Sequence, residues 1–220
     1  MSKLSKYLKA SVFTPKLYSN IKELSPFVPE VNEFEFCGLS PDCVAGWGKK
    51  KTSSFARTYS KFKKVPYLAL EDGFLRSVGF GSEGWKCLSM IVDEEGIYYD
   101  SENGSALENL IKDNDFSDEL IDRAKSSISF IQQNGITKYN VGLDVGESSF
   151  ELPSGKNILL IDQTENDASV IYGSRGREDF ERMFKYAREK FPEANILIKT
   201  HPEVIKGNKQ GYLSKFFRKV

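Results

Sequence analysis

The spacing of apolar residues along the chain alternates between the pattern of buried strands and that of amphipathic helices. Short apolar runs bounded by turn residues predict strands at 44–47, 67–70, 157–162 and 195–199. Apolar residues three and four positions apart predict helices at 52–64, 105–112, 117–133 and 177–191. Strands that alternate with helices in this way are typical of an α/β fold built on parallel strands.

Three further stretches carry weaker patterns. Leu4, Leu8 and Val12 recur at helical spacing among lysines, which predicts a short basic amphipathic helix. Such a helix could contact anionic lipid or form a solvated end of the chain. Prolines between residues 26 and 41 indicate a loop-rich region, and apolar runs at 88–92 and 97–99 predict a β-hairpin.

These elements divide the chain into two Rossmann-like parts of an α/β fold. Residues 1–136 form the first part, with a helical extension, and the polar, glycine-bearing stretch 137–156 is interpreted as a linker. Residues 157–220 form the second part. Because it has two predicted strands where a doubly wound domain usually has four or more, we expect its remainder to be missing or supplied by another chain.

Composition narrows the classes of function. Lys plus Arg and Asp plus Glu both number 31, so the chain carries no net charge and nucleic acid is not an expected partner. We find neither an apolar run of membrane-spanning length nor a secretory signal, which predicts a cytoplasmic protein. Cys37, Cys43 and Cys87 form no C-x-x-C pair and are interpreted as structural filler. With a single histidine, the chain offers no zinc site, and no cofactor is predicted.

A glycine-rich segment, Gly79 to Gly84, satisfies the G-x-G-x-x-G pattern of dinucleotide-binding enzymes. That pattern cradles a pyrophosphate only where it opens a helix, whereas residues 85–92 are predicted to form a strand. We therefore interpret the segment as a flexible loop. An NAD-dependent oxidoreductase would be favoured only if a helix began there.

Polar residues with catalytic potential follow two predicted strands. Glu71, Asp72 and Arg76 come after the strand at 67–70, where a carboxylate could transfer a proton and the arginine could hold an anion. The alternative is a charged turn with an internal Asp–Arg contact. The loop from Gln163 to Ser169 follows another strand, and Asp167 could act there as a nucleophile or as a helix cap.

The third candidate segment is Lys199-Thr200-His201-Pro202, at the end of the strand at 195–199. Pro202 favours an extended backbone at His201. At a strand end, the imidazole could donate a hydrogen bond to a phosphate or to a leaving oxygen. The alternative is an ordinary surface histidine.

Five short motifs occur in an order that resembles the bacterial capsule polysaccharide β-Kdo transferases. They are G-W-G at 46–48, E-D-G-F-L-R-S at 71–77, I-Y-Y-D at 97–100, Q-x-x-x-D-x-S at 163–169 and K-x-H-P at 199–202. The resemblance covers residues 44–207. It implies a GT-B-like enzyme that transfers Kdo from CMP-Kdo, with retention, to a lipid-linked Kdo acceptor at the cytoplasmic face of the inner membrane.

The resemblance also implies roles for individual residues. Asp167 would be the nucleophile, Glu71 the acid/base group, and His201 a contact to the CMP phosphate. The residues implied to hold the sugar, the nucleophile or the phosphate are Arg76, Gln163, Ser169, Lys199 and Pro202. Because family members continue past the H-P motif with a segment that completes the nucleotide site, we expect a truncated or split enzyme, with capsule assembly proteins as further partners. The alternative is a nucleotide-binding or assembly module without turnover.

Overall fold

The computed structural model describes residues 6–80, 83–113, 115–141 and 151–216. The strands in these ranges are β1 (Tyr7–Val12), β2 (Val31–Phe36), β3 (Cys43–Trp47), β4 (Tyr67–Asp72), β5 (Met90–Asp93), β6 (Asn157–Ile161) and β7 (Asn195–Lys199). The α-helices are α1 (Pro15–Ser19), α2 (Ile21–Leu24), α3 (Ser54–Lys63), α4 (Ala106–Asp113), α5 (Asp118–Gln133), α6 (Ala168–Tyr172), α7 (Arg177–Lys190) and α8 (Pro202–Ile205).

The chain forms two compact units. The first comprises Met1–Tyr98 and Asn103–Gly142, and the second comprises Tyr99–Glu102 and Leu143–Val220. Residues 76, 77 and 79 of the first unit donate backbone hydrogen bonds to the carbonyls of Lys138 and Tyr139. The stretch predicted as a linker therefore begins with residues that belong to the first unit, while its residues 142–150 lie outside the described ranges.

The first unit contains a five-stranded sheet in the order β2-β1-β3-β4-β5. β1, β2, β3 and β4 are parallel to one another, and β5 runs antiparallel to β4. β3 and β4 lie inside the sheet, and residues 43–46 of β3 and 68–70 of β4 are buried, which explains their continuous apolar sequence. The strand order reverses between β1 and β3, and open α/β sheets bind ligands beyond the carboxyl ends of the strands at such a reversal.

The second unit contains the parallel pair β6 and β7, with α7 between them in the chain. Leu160 is 6% exposed and packs with Ala187 of α7 and Leu213. Its neighbours Leu159 and Ile161 are 57% and 47% exposed. This alternation is that of a sheet covered on one face.

The α/β fold and most of the elements predicted after residue 43 are confirmed. Strands β3, β4, β6 and β7 and helices α3, α4, α5 and α7 occur within two residues of their predicted bounds. Ser117 caps α5 by accepting a hydrogen bond from the backbone N–H of Leu120, in agreement with the predicted helix start.

The helix predicted at the start of the chain is wrong. Leu4 lies outside the described residues, and residues 7–12, which include Leu8 and Val12, form β1. β1 pairs with β2 on one side and β3 on the other. Tyr7, Ala10 and Val12 are buried, whereas Leu8 is 68% exposed, so these residues follow the sheet and do not form a helical face. Lys6 and Lys9 form ion pairs with Glu94 and Glu35.

The loop predicted before β3 is also wrong over much of its length. Residues 25–27 form a 3-10 turn, and residues 31–36 form β2. β2 is the edge strand of the sheet and has only one buried residue, Val31. Its mixture of apolar and acidic residues therefore lacks the pattern of a core strand.

The predicted hairpin is wrong as well. β5 pairs antiparallel with β4, and residues 97–99 form no strand. The buried carboxylate of Asp93 accepts hydrogen bonds from the backbone N–H groups of Glu95, Gly96 and Ala106. These contacts fold the chain back on itself after β5 and replace the ladder of a hairpin.

Two smaller interpretations concern the glycine segment and the cysteines. Gly81 and Ser82 lie outside the described residues. Residues 83–105 contain no α-helix, so no helix begins directly after Gly84.

Cys37 is exposed, Cys43 is buried and Cys87 is half-buried, and all three are free thiols. Burial raises the pKa of the Cys43 thiol to about 12.

Candidate active site

Glu71 lies at the carboxyl end of β4, beside the end of β3. Its Oε1 accepts a hydrogen bond from Nε1 of Trp47 at 3.0 Å and another from the backbone N–H of Asp72 at 3.2 Å. Burial raises the pKa of the Glu71 carboxyl above its ordinary value, and the ammonium of Lys50 partly opposes this rise. A carboxyl group with a raised pKa is suited to proton transfer near neutral pH.

Arg76 organises the loop between β4 and β5. Its guanidinium donates to Oδ1 of Asp72 at 3.1 Å, to Oγ of Ser77 at 2.9 Å and to the carbonyl of Trp85 at 2.8 Å. The side chain is 13% exposed. The internal Asp–Arg contact anticipated from the sequence is therefore present. Because most of its donors already have partners, Arg76 has limited capacity to hold a sugar carboxylate, and that role stays a prediction.

Asp167 lies at the end of the loop after β6 and is the N-cap of α6. Its Oδ1 accepts hydrogen bonds from the backbone N–H of Ser169 at 2.9 Å and from Oγ of Ser169 at 2.6 Å. The preceding residue, Asn166, has a left-handed backbone with φ of 62°. Both hydrogen bonds fall on one carboxylate oxygen, so capping the helix leaves Oδ2 for other chemistry.

The loop that carries Asp167 is held by the segment at 210–213. Glu165 donates its backbone N–H to the carbonyl of Gln210, and Tyr212 donates to the carbonyl of Gln163. Oδ1 of the buried Asp162 accepts from the backbone N–H groups of Gln163 at 2.8 Å and Leu213 at 3.1 Å. The loop is therefore fixed by backbone contacts across about fifty residues of sequence.

His201 follows β7 and caps the short helix α8. Its Nδ1 accepts a hydrogen bond from the backbone N–H of Glu203 at 3.1 Å, and Pro202 is the first residue of the helix. A neutral imidazole with Nδ1 as an acceptor carries its proton on Nε2, which is then a donor. The side chain of His201 is half-buried and Lys199 is exposed.

The structure brings the segments of Asp167 and His201 to one edge of the second unit. β6 and β7 are parallel, Ile161 is paired with Lys199, and the backbone N–H of Asp162 donates to the carbonyl of Lys199 at 3.0 Å. Both segments thus leave the sheet at the carboxyl ends of adjacent strands. Glu71 and Arg76 occupy the corresponding edge of the sheet in the first unit.

Two residues that matter for this geometry were not identified as site residues from the sequence. Trp47 ends one predicted strand and belongs to the G-W-G motif, and Asp162 ends another predicted strand. A polar residue directly after an apolar run was the available signal for Asp162. The sequence carried no signal for the contact between Trp47 and Glu71, because it depends on how β3 and β4 pair.

Within the described ranges, no group of three or more His, Cys, Asp or Glu residues is placed to hold a metal ion. No helix in those ranges combines the length and the apolar character needed to cross a membrane.

The family model described as capsule polysaccharide biosynthesis protein matches residues 42–219. The chain belongs to this family. Among curated relatives, it is 39% identical over 200 residues to the capsule polysaccharide modification protein LipA of Neisseria meningitidis serogroup B. That match covers 89% of this chain and 28% of LipA. The lipopolysaccharide-processing protein LpsZ of Rhizobium meliloti is 34% identical over 179 residues, which cover 80% of this chain and 40% of LpsZ.

A solved structure of similar fold is that of Thermosulfurimonas dismutans KpsC, described as a beta Kdo 2,4 transferase. The TM-score is 0.85 and the sequences are 41% identical, over 94% of this chain and 65% of the solved one. The family resemblance found in the five motifs and the GT-B-like fold class are thereby confirmed. The chain spans less than a third of LipA and about two thirds of the KpsC structure.

Proposed function

We propose that this chain is part of a glycosyltransferase that transfers Kdo from CMP-Kdo, with retention of configuration, to a lipid-linked Kdo acceptor in capsule polysaccharide biosynthesis. The observation that carries the proposal is the likeness to the KpsC structure, whose description is that of a Kdo transferase. Support comes from the edge of the second unit, where the half-buried carboxylate of Asp167 and the imidazole of His201 lie in the segments that follow two paired strands.

The first chemical step is assigned to the second unit. Oδ2 of Asp167 attacks the anomeric carbon of Kdo, the bond between that carbon and the phosphate oxygen breaks, and CMP leaves. Nε2 of His201 donates a hydrogen bond to the phosphate as negative charge develops on it. The backbone N–H and the hydroxyl of Ser169 both donate to Oδ1 of Asp167, so Oδ2 is the oxygen that attacks.

The second step is assigned to Glu71. The acceptor hydroxyl displaces Asp167 from the anomeric carbon while its proton passes to the Glu71 carboxylate. Two successive inversions give net retention, which is why the proposal needs one carboxylate as nucleophile and another for proton transfer. No cofactor is assigned, and the compartment proposed is the cytoplasm, with peripheral attachment at the inner membrane where the acceptor is presented.

The test is transfer from CMP-Kdo to a synthetic Kdo-lipid acceptor, followed by mass spectrometry and by NMR assignment of the new anomeric centre. The chain is assayed alone and in a chimaera in which it replaces the matched region of the KpsC transferase, which supplies the remaining third of that structure. We expect a β-linked product that is absent with Asp167→Asn. A folded chimaera that binds CMP but forms no product would instead support a nucleotide-binding or assembly module.

A further inference from the structure

We propose that Trp47 is a positioning residue for Glu71, whose indole N–H holds Oε1 as an acceptor so that the exchangeable proton is carried on Oε2. The inference rests on the proposed function, because the part of Glu71 in catalysis is itself proposed. It concerns which oxygen of the carboxyl group faces the acceptor hydroxyl.

The two oxygens of the Glu71 carboxyl group differ in the hydrogen bonds that they accept. Nε1 of Trp47 and the backbone N–H of Asp72 both donate to Oε1, at 3.0 and 3.2 Å. A proton placed on Oε1 would compete with two donors for the same lone pairs, whereas Oε2 can accept it without losing either contact. The two donors therefore orient the carboxyl group in both of its protonation states.

Trp47 is itself held by its neighbours. Its backbone N–H donates to Oγ of Ser53 at 2.9 Å, and the same hydroxyl donates to the carbonyl of Trp47 at 3.2 Å. Ser53 is fully buried. Nζ of Lys50 lies 5.1 Å from the centre of the indole ring, within the range of a cation–π contact. A donor supported in this way keeps its direction, as positioning of a catalytic group requires.

The charged and titratable groups near Glu71 come from the segment after β3 and from β4 itself. Lys50 follows β3, Tyr67 and Asp72 belong to β4, and the residue of β5 opposite Glu71 is Ile91, which does not titrate. Burial raises the pKa of Glu71, and the hydrogen bond from Trp47 lowers it. Loss of the N–H donor alone should therefore raise this pKa further, while loosening of the structure would hydrate the carboxyl and lower it.

The experiment is an NMR titration of the Glu71 carboxyl in the full 220-residue chain, assigned with Glu71→Gln. Trp47→Phe removes the donor and keeps an aromatic ring. The matched control is Trp85→Phe, because Trp85 is the other tryptophan, is 51% exposed and has no contact with Glu71 among those described. We expect the pKa of Glu71 to rise in Trp47→Phe and to stay unchanged in the control.

If Trp47→Phe fails to fold, replacement of Trp47 by 3-benzothienylalanine removes the N–H group with almost no change of shape. A pKa of Glu71 that is unchanged or lowered in a folded variant overturns the inference. Turnover is measured separately, and we expect kcat to fall about tenfold with KM unchanged, as for the loss of one hydrogen bond to a charged group. If Glu71→Gln retains full turnover, the proposed role of Glu71 fails, whatever the titration shows.

Discussion

Replacement of Asp167 by Asn separates the two roles that the structure allows for this residue. As the N-cap of α6, Asp167 uses Oδ1 to accept both donors of Ser169, at 2.9 and 2.6 Å. As the proposed nucleophile, it uses the charge and the other oxygen. Asn presents an amide oxygen to Ser169 in place of the carboxylate Oδ1 but lacks the negative charge, so only the second role is removed.

The two roles predict effects of very different size. Asn and Asp are about equally good N-caps, so Asp167→Asn should change the free energy of unfolding by less than about 0.5 kcal/mol, whereas Asp167→Ala should cost about 1 kcal/mol. Loss of the nucleophile should lower turnover at least about a thousandfold, which corresponds to about 4 kcal/mol of transition-state stabilisation. Affinity for CMP should stay within a few fold, because CMP does not need the nucleophile.

The assays are turnover with CMP-Kdo, calorimetric titration with CMP, and thermal melting. They are performed in the KpsC chimaera described above, with Ser169→Ala as the matched control. That variant removes one donor to Oδ1 but keeps the backbone N–H and the carboxylate charge, so we expect a loss of turnover of about tenfold or less.

Two results would refute the reasoning about Asp167. One is an Asp167→Asn variant that keeps most of its turnover while its melting temperature falls, which would leave helix capping as the only role. The other is a covalent Kdo adduct, found by intact-mass analysis and peptide mapping, on a residue other than Asp167.

Three further predictions concern Glu71, His201 and Gly211. The pKa of Glu71 is raised by burial, so its protonated form stabilises the fold at low pH, and this contribution is lost as pH rises from about 4.5 through the folded-state value. Denaturant titrations at several pH values should therefore show Glu71→Gln gaining stability relative to the native chain as pH rises, and a constant difference would contradict this. His201→Asn keeps an acceptor for the cap of α8 but not the Nε2 donor, so turnover should fall about 100-fold with little change in melting temperature, whereas His201→Gln should show a smaller loss of turnover. A Cβ at Gly211 would lie 2.1 Å from Oδ2 of Asp162, so Gly211→Ala should cost about 1–3 kcal/mol in chemical denaturation. Gly104→Ala, with nothing within 4 Å of the added Cβ, should be nearly neutral.

Most elements after residue 43 could be predicted from the sequence, because their apolar patterns are local. β3, β4, β6 and β7 are built on short apolar runs, of which the last three end in or are followed by polar residues. α3 and α7 repeat aromatic residues at helical spacing. The candidate residues Glu71, Asp167 and His201 were likewise visible, since each follows or ends one of these runs. The motifs in this order also identified the family.

The elements that the sequence did not reveal depend on contacts between distant segments. β1 is a strand because β2 and β3 pair with it on both sides, and burial of the consecutive residues 10–12 removes the alternation that would have indicated a strand. The chain folds back after β5 because Asp93 accepts three backbone N–H groups. Neither the pairing of β1 nor the contacts of Asp93 can be predicted from the local spacing of apolar residues.

The finer geometry of the site was decided by tertiary structure for the same reason. Trp47 meets Glu71 because the register of β3 on β4 places Trp47 opposite Leu70, one residue before Glu71. Asp162 reaches Leu213 because the chain returns to the edge of the sheet after β7. The sequence thus determined which residue types stand at the strand ends. Strand pairing determined which of them share hydrogen bonds, because side-chain contacts require proximity in space that sequence separation does not encode.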